Sequence, residues 1–142
     1  MALCELEKLG IMKKLIAIFI AILCVISIGA QANDRQLKQA YNNHQSDVQI
    51  QGSGTVVRLL RDDNDGSRHQ KFILKLDSKQ TLLVAHNIDL APRIPNLKVG
   101  DRVQFHGEYE WNQKGGVMHW THHDPNNRHP DGWLKHNGKK YE

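Results

Sequence analysis

Residues 99–107 read V-G-D-R-V-Q-F-H-G, a turn followed by the start of a strand. After the glycine and aspartate, apolar and polar residues alternate, as expected of a strand with one buried face. The alternation ends at N-Q-K-G-G, residues 112–116, which is typical of a hairpin loop. The sequence therefore predicts a strand at residues 102–111 that pairs with a strand at residues 117–122.

Upstream of this hairpin, polar turns separate three further strands. The strands are predicted at residues 48–60, 71–76 and 81–88, and the turns at residues 62–67 and 77–80. Gly52 and Gly54 interrupt the first strand and predict a bend or bulge there. Pro92 and Pro95 exclude a long helix from the connection to the fourth strand, so this connection is predicted to be a loop.

Three strands, a non-helical connection and two more strands are typical of a small closed barrel. The best match is the five-stranded Greek-key barrel of the oligonucleotide- and oligosaccharide-binding (OB) type, in which residues 99–107 look like the entry to the fourth strand. Closing such a barrel also removes exposed strand edges. A flat antiparallel sheet with one helix is the alternative. The predicted fold class is therefore mainly β, a small OB-like barrel.

Two flanking segments complete the predicted domain. Residues 33–47 are predicted as a short N-terminal helix with Asp34 as its N-cap. Its apolar stripe consists of Leu37, Ala40, Tyr41 and His44. After residue 122 the chain is a His-rich C-terminal extension, with Trp133 and Tyr141 as its large anchors. The barrel domain with this extension is predicted to cover residues 48–142.

The first 32 residues have the layout of an exported precursor. Two lysines at residues 13–14 precede an apolar run at residues 15–28, and a small-x-small cleavage signal ends at Ala32. The run is shorter than the roughly 20 apolar residues of a spanning helix. We therefore predict a signal peptide that starts at Met12 and is cleaved after Ala32, with an uncleaved anchor as the alternative. The mature chain is expected in the bacterial periplasm or outside the cell, without a stable membrane anchor.

Removal of this leader changes the composition in two ways. It takes away three lysines and two glutamates, so the formal net charge falls from +4 to +3. It also removes both cysteines, Cys4 and Cys24, which excludes disulfides, a cysteine nucleophile, thiolate zinc fingers and iron–sulfur centres. At this charge, strong non-specific binding to nucleic-acid phosphates is not expected, although three tryptophans could stack on bases or saccharides.

Five phrases of the sequence are specific in combination. They are R-H-Q-K-F-I-L (68–74), H-N-I-D-L-A-P (86–92), G-E-Y-E-W-N (107–112), G-G-V-M-H-W-T-H (115–122) and G-W-L (132–134). Together they resemble a family of small exported bacterial proteins that is classed as a domain of unknown function. The resemblance covers residues from about 52 to 141. It implies an OB-like barrel and export, and it implies no activity.

Histidines are the main candidates for chemistry. All nine lie in the predicted mature chain, and five fall within 18 residues: His119, His122, His123, His129 and His136. Pairing across the second turn places His69 near Ile88 and His86, and parallel third and fifth strands place His86 near His122. Three imidazoles would then meet at one barrel end, with Asn87, His123 and Asp124 close behind. Such a set suits zinc, copper or nickel.

Strand parity leaves the exact ligand set open. His119 and His122 point to opposite faces as long as the strand continues, whereas His119 and His123 share a face. The candidate metal ligands, in either a His122-led or a His119/His123-led set, are His69, His86, His119, His122, His123 and Asp124. The candidate residues for a small anionic ligand are Arg68, His69, Asn87 and Trp120.

Three functions follow from this pattern. The first is a non-enzymatic binding module that holds a transition metal, such as zinc or copper, or a small anionic ligand at the His-rich barrel rim. The second is a metal-dependent hydrolase, such as a phosphodiesterase or nuclease, with His69 or His86 as catalytic residue. The third is a structural envelope protein. A calcium loop at D-D-N-D-G is excluded, because Phe72 would stand at the twelfth position, where calcium loops need a glutamate.

Overall fold

A computed structural model of the chain describes residues 7–16 and 33–142. The chain divides into two compact units, Met1–Ala32 and Asn33–Glu142. In the first unit, helix α1 covers residues 7–16. Neither described segment contains a helix with the length and apolar composition that a bilayer crossing requires. The predicted cleavage site and most of the apolar run lie outside the described residues, so the signal peptide stays a prediction.

The second unit contains helix α2 at residues 33–42 and seven strands. The strands are β1 (Val48–Leu59), β2 (His69–Lys75), β3 (Thr81–Asn87), β4 (Arg102–Glu110), β5 (Val117–His119), β6 (Trp133–His136) and β7 (Lys139–Tyr141). The first five pair in the order β1-β2-β3-β5-β4, and β4 pairs again with β1. This pairing closes a five-stranded barrel, and β3 and β5 run parallel as expected. The predicted fold class is therefore confirmed.

Strand β1 closes the barrel by pairing with two neighbours in succession. Its first part pairs with β4 from Val48 to Thr55, and its last part pairs with β2. The break in register lies between Val56 and Arg58, so the bulge predicted at Gly52 and Gly54 is placed too early. Gly52 instead allows close packing, since a Cβ there would lie 2.7 Å from the ring of Phe105.

The C-terminal extension contains two strands that the sequence did not predict. Strand β6 pairs with β4 from Val103 to His106, beyond the short strand β5, and β7 pairs with β6. Asn137 and Gly138 form the turn between β6 and β7, with φ angles of 49° and 78°. An Asn-Gly pair with two positive φ angles is the favoured turn of a two-residue hairpin. The extension is therefore part of the sheet.

Helix α2 packs on the barrel core through Leu37 and Ala40, which are 0% and 2% exposed and belong to the same apolar cluster as the strands. Asp34, predicted as the N-cap, lies within the helix, and its carboxylate accepts a hydrogen bond from the main-chain N–H of Ser78 at 2.8 Å. This bond ties α2 to the turn between β2 and β3. His44 lies beyond the helix and packs on Trp111.

The register between β2 and β3 decides which side chains reach the barrel end. His69 lies opposite Asn87, and Gln70 lies opposite His86. The predicted register placed His69 opposite Ile88 and is therefore wrong by one residue. Because side chains alternate between the two faces of a strand, His69 and Asn87 share the outer face and His86 points into the core.

Candidate metal centre and rim cavity

Two carboxylates and one imidazole converge on the outer face of β4 and β5. Glu108 and Glu110 lie two residues apart on β4, and His119 lies on β5 opposite Glu108. Their neighbours Tyr109 and Met118 are buried in the core, so strand alternation turns these three side chains outward. One ligand atom from each of the three lies within 4.8 Å of the other two. We call Glu108, Glu110 and His119 the carboxylate–histidine cluster.

The Nε2 atom of His119 lies close to both carboxylates. It is 3.3 Å from Oε1 of Glu108 and 3.6 Å from Oε1 of Glu110. This nitrogen is buried, and within residues 7–16 and 33–142 it has no hydrogen-bond partner. Two neighbouring carboxylates repel each other unless a cation lies between them. The two carboxylates therefore give the cluster a negative charge that attracts a cation.

A second imidazole, that of His129, contacts the other oxygen of Glu108. Its Nε2 is 2.7 Å from Oε2 of Glu108, and its Nδ1 donates to the carbonyl oxygen of Pro130 at 2.8 Å. Burial disfavours the charged ring, but the hydrogen bonds to Glu108 and Pro130 and the negative charges nearby outweigh burial and raise the pKa of His129. The charged form of the ring is therefore more stable than in a free histidine, and the ring orients Glu108 so that Oε1 faces His119.

Trp120 supports His129 and ends strand β5. The two rings stack with their centroids 4.0 Å apart and their planes at 11°. Trp120 has a φ angle of 50°, in the left-handed region that bulky residues rarely adopt. This conformation turns the chain out of the sheet directly after His119 and begins the loop at residues 120–132, which we call the 120–132 loop.

Asp124 organises the 120–132 loop. Its carboxylate accepts hydrogen bonds from the main-chain N–H groups of Asn126 (3.1 Å), Arg128 (2.7 Å) and His129 (2.9 Å). These bonds hold the pKa of Asp124 below its ordinary value, and the bonds from Asn126 and Arg128 have the largest effect. Asp124 was predicted as a metal ligand; its carboxylate accepts three hydrogen bonds from the loop, and metal binding by Asp124 stays a prediction.

Asp124→Ala is expected to loosen the 120–132 loop and leave the barrel folded. The three main-chain N–H groups that Asp124 binds would lose their acceptor, so their hydrogen exchange should accelerate by about tenfold or more. Amide exchange followed by NMR measures this effect, with the amides of β2 and β3 as internal reference. Asp65→Ala, at an exposed turn, is the matched control. Equal exchange in the loop of parent and Asp124→Ala would contradict the role assigned to Asp124.

Five of the predicted site residues line one cavity of about 210 Å³ at the end of the barrel. They are His69, Asn87, His119, Trp120 and His122. We call this space the rim cavity. Since His119 also belongs to the carboxylate–histidine cluster, the cluster and the cavity adjoin. The structure thus brings together side chains from three separate strands and the 120–132 loop, and their role in binding stays a prediction.

His122 is presented to the rim cavity in a defined tautomer. Its Nδ1 lies 2.8 Å from the main-chain oxygen of His123, which can only accept, so Nδ1 carries a proton. In the neutral ring, Nε2 is then left with a lone pair. Histidines that bind metals usually have this arrangement, with one ring nitrogen donating to a carbonyl or carboxylate. His119 and His122 reach the same cavity because Trp120 ends the strand between them.

His86 lies in the core and not at the rim. Its side chain is 0% exposed; Nε2 donates to the carbonyl oxygen of Pro92 at 3.1 Å, and Nδ1 accepts from the hydroxyl of Thr121 at 2.9 Å. Burial lowers the pKa of His86 to about 4. The neutral ring has no free nitrogen for a metal or a substrate. This corrects its assignment as a metal ligand and as a catalytic residue.

Arg68 and His123, the other predicted residues, are engaged at the surface. The guanidinium and main-chain N–H of Arg68 both donate to the carboxylate of Asp89, at 2.7 and 2.8 Å. Nδ1 of His123 lies 2.8 Å from an oxygen of Asp131. Neither Arg68 nor His123 is among the side chains that line the rim cavity. The structure therefore does not bring His123 to the rim cavity with His119, and the ligand set that the two were predicted to share stays a prediction.

Sequence reasoning missed Glu108 and Glu110, and it named His129 only as one of the clustered histidines, without a place in the candidate site. The signal for the two glutamates was present, because pairing across the 112–116 loop places His119 opposite Glu108 once the hairpin register is written out. The position of His129 follows from the path of the 120–132 loop, for which the sequence gives no regular pattern.

A protein-family model described as "Protein of unknown function (DUF3465)" matches residues 19–142. The match includes the whole unit that forms the barrel, the carboxylate–histidine cluster and the rim cavity. The resemblance to a family of unknown function, drawn from five sequence phrases, is therefore confirmed. No curated protein matches the chain.

Proposed function

We propose that this chain, which belongs to the DUF3465 family of proteins of unknown function, binds a divalent transition metal through its carboxylate–histidine cluster. It would act as a non-enzymatic binding module, with Glu108, Glu110 and His119 as the protein ligands. A water molecule or a small ligand that enters the rim cavity would complete the coordination.

The spacing of the three side chains carries this proposal. Tetrahedral zinc with ligand bonds near 2.1 Å has neighbouring ligand atoms about 3.4 Å apart. Nε2 of His119 lies 3.3 and 3.6 Å from the two carboxylate oxygens. A metal ion would also give the buried Nε2 the partner that it lacks among the described residues. The cluster therefore needs little rearrangement to hold a small cation.

The chemistry of the ligands narrows the choice of metal. Imidazole favours zinc, copper and nickel, whereas carboxylates also accept harder cations such as manganese. One imidazole with two carboxylates fits zinc best, and the predicted mature chain contains no thiolate that would select softer ions. His129 would not bind the metal itself. It holds Glu108 by a hydrogen bond, which is the arrangement of residues that orient a metal ligand.

Zinc titration of the untagged protein at pH 7.5 tests this proposal. We expect one zinc ion per chain, with a dissociation constant of about 10 μM or lower by isothermal titration calorimetry. His119→Ala should weaken binding by about 100-fold or more, and Glu108→Gln and Glu110→Gln by about tenfold or more each. His123→Ala is the control and should bind like the parent. If His119→Ala also binds like the parent, the cluster is not the metal site.

A metal-dependent hydrolase is the second candidate, because His69 and His119 line the same rim cavity. A bound zinc ion would lower the pKa of a water ligand, and His69 would be positioned to accept a proton from it. Turnover of bis(4-nitrophenyl) phosphate by the zinc-loaded protein would support this candidate if His69→Ala abolished turnover without loss of zinc. If the protein binds zinc but shows no turnover, the non-enzymatic binding module is the supported function. If zinc, copper and nickel all fail to bind, a structural envelope protein becomes the better reading.

Export is part of the proposal, and it is supported by the N-terminal segment of the sequence. A cell fraction that contains the protein with Asn33 as its first residue would support a periplasmic or secreted location. Recovery of the uncut chain from the cytoplasm would contradict it.

A further inference from the structure

A second cavity lies at the other end of the β2–β3 hairpin from the rim cavity. It has a volume of about 550 Å³ and is bordered by three elements: helix α2, the turn at residues 78–81 and the loop at residues 113–115. We call it the lysine cleft. Its volume is within the range of sites that hold small molecules.

The charged side chains that line the lysine cleft are all positive. Lys38 on α2, Lys79 on the turn and Lys114 on the loop all line it, and no carboxylate does. Among the residues that the structure describes, no carboxylate oxygen lies within 4.0 Å of these three ammonium groups. Three cations from separate elements around one concavity create a positive potential that attracts anions.

The nearby carboxylates are engaged elsewhere. Asp34 accepts the hydrogen bond from the main chain of Ser78, and Asp77 pairs with the guanidinium of Arg102 at 3.0 and 3.1 Å. The pKa of Asp77 is lowered by its hydrogen bond to Arg102, so this carboxylate stays ionised and paired. The charge of Asp77 is therefore balanced by Arg102, and the carboxylate of Asp34 is held at the main chain of Ser78, more than 4.0 Å from the three ammonium groups.

The walls of the lysine cleft are already tied together. The hydroxyl of Tyr41 donates to the carbonyl oxygen of Gln113 at 3.1 Å, and the hydroxyl of Thr81 donates to that of Lys114 at 3.2 Å. The side-chain amide of Gln80 donates to the carbonyl oxygen of Gly115 at 2.9 Å. These bonds join α2, the turn and the loop, so the main chain around the cleft is preorganised for a ligand.

The turn also carries polar atoms without partners. Oγ of Ser78 and Oε1 of Gln80 are covered and form no hydrogen bond with any described residue. Covered polar atoms of this kind cost free energy, and because Ser78 and Gln80 line the cleft, rotation of their side chains toward a bound ligand would give these atoms partners. The hydroxyl of Ser78 can donate to an anionic oxygen, whereas Oε1 of Gln80 can only accept, and so requires a donor.

We propose that the lysine cleft binds a small organic anion that also carries a hydroxyl group, such as the phosphate ester of a polyol. The anionic group would lie among the ammonium groups of Lys38, Lys79 and Lys114, and the hydroxyl would face Gln80. The same chemistry occurs in free glycerol phosphate and in the headgroup of phosphatidylglycerol. The cleft is separate from the carboxylate–histidine cluster, and its ligand does not depend on a bound metal.

NMR titration of the ¹⁵N-labelled full chain with glycerol 3-phosphate, at low ionic strength, tests the proposal. We expect amide shifts in α2, residues 78–81 and residues 113–115, with a dissociation constant of about 1 mM or lower. Inorganic phosphate should bind more weakly, and glycerol should cause no shifts. Sedimentation with phosphatidylglycerol vesicles, compared with phosphatidylcholine vesicles, distinguishes the headgroup from the free anion.

Two triple variants decide between a site and a general charge effect. The first triple variant combines Lys38→Gln, Lys79→Gln and Lys114→Gln. It should bind glycerol phosphate about tenfold or more weakly than the parent. The matched variant, with Lys98→Gln, Lys135→Gln and Lys139→Gln, changes the net charge equally and should bind like the parent. Equal weakening in both variants, or shifts outside the cleft, would overturn the proposal. Zinc binding should be the same in both variants, so this test is independent of the metal site.

Discussion

Gly132→Ala is expected to lower the free energy of unfolding by about 3 kcal/mol or more. A Cβ at this position would overlap the main-chain oxygen of Trp120 and lie 2.7 Å from that of His106. The N–H of Gly132 donates to the carbonyl oxygen of His122 at 2.9 Å, and Trp133 begins β6. The segment therefore cannot move away without loss of these contacts.

Urea unfolding of parent and variant at pH 7.5 measures this loss. Gly138→Ala is the matched control, because its φ angle is 78° and no heavy atom lies within 4 Å of a Cβ there. The free energy of unfolding of this control should fall only by the cost of placing an alanine in the left-handed conformation, about 1–2 kcal/mol. If both variants lose the same amount, the close approach at Gly132 has no energetic consequence. The stack of Trp120 on His129 should also be disturbed in Gly132→Ala, which tryptophan fluorescence would detect.

The five barrel strands could be predicted because each one alternates between a buried and an outer face. Their order along the chain then left few ways to close the sheet. Strands β6 and β7 were missed because they have only four and three residues, so their pattern is weak. Their place in the sheet depends on the length of β5. Because β5 stops at His119, the edge of β4 from Val103 to His106 is left for β6.

The candidate site was predicted only in part, for two physical reasons. The parity rule placed His119 and His122 on opposite faces, but it holds only while the strand continues. The left-handed Trp120 ends the strand and brings both imidazoles to the rim cavity. The register between β2 and β3 was wrong by one residue, and this error exchanged the faces of His86 and its neighbours. Single-residue conformations of this kind depend on tertiary contacts, which local sequence patterns do not contain.

The stability of the protein is expected to fall by about 3 kcal/mol between pH 6.5 and pH 4 because of His86 alone. Burial disfavours the charged ring of His86 and outweighs the hydrogen bond to Pro92, so its pKa falls from 6.5 in the unfolded chain to about 4. In this pH range the unfolded chain binds a proton that the folded protein does not. The free energy of unfolding therefore decreases as the pH falls through this window, and at pH 7.5 and above His86 has almost no such effect.

The effect of His86 must be separated from that of other groups, and two variants do this. The carboxylates of Asp89, Asp101 and Asp124 have lowered pKa values, so they also destabilise the folded protein as the pH falls toward and below 4. The comparison of urea unfolding at pH 7.5 and pH 4.5 is therefore made between variants. His86→Gln keeps a donor for the carbonyl oxygen of Pro92 but cannot titrate, and it should lose much less stability over this range than the parent. His44→Gln, which removes an exposed imidazole, should lose as much as the parent. If the stability of His86→Gln declined as steeply as that of the parent, His86 would not be the cause of the decline. The lowered pKa of His86 in the folded protein would then be contradicted.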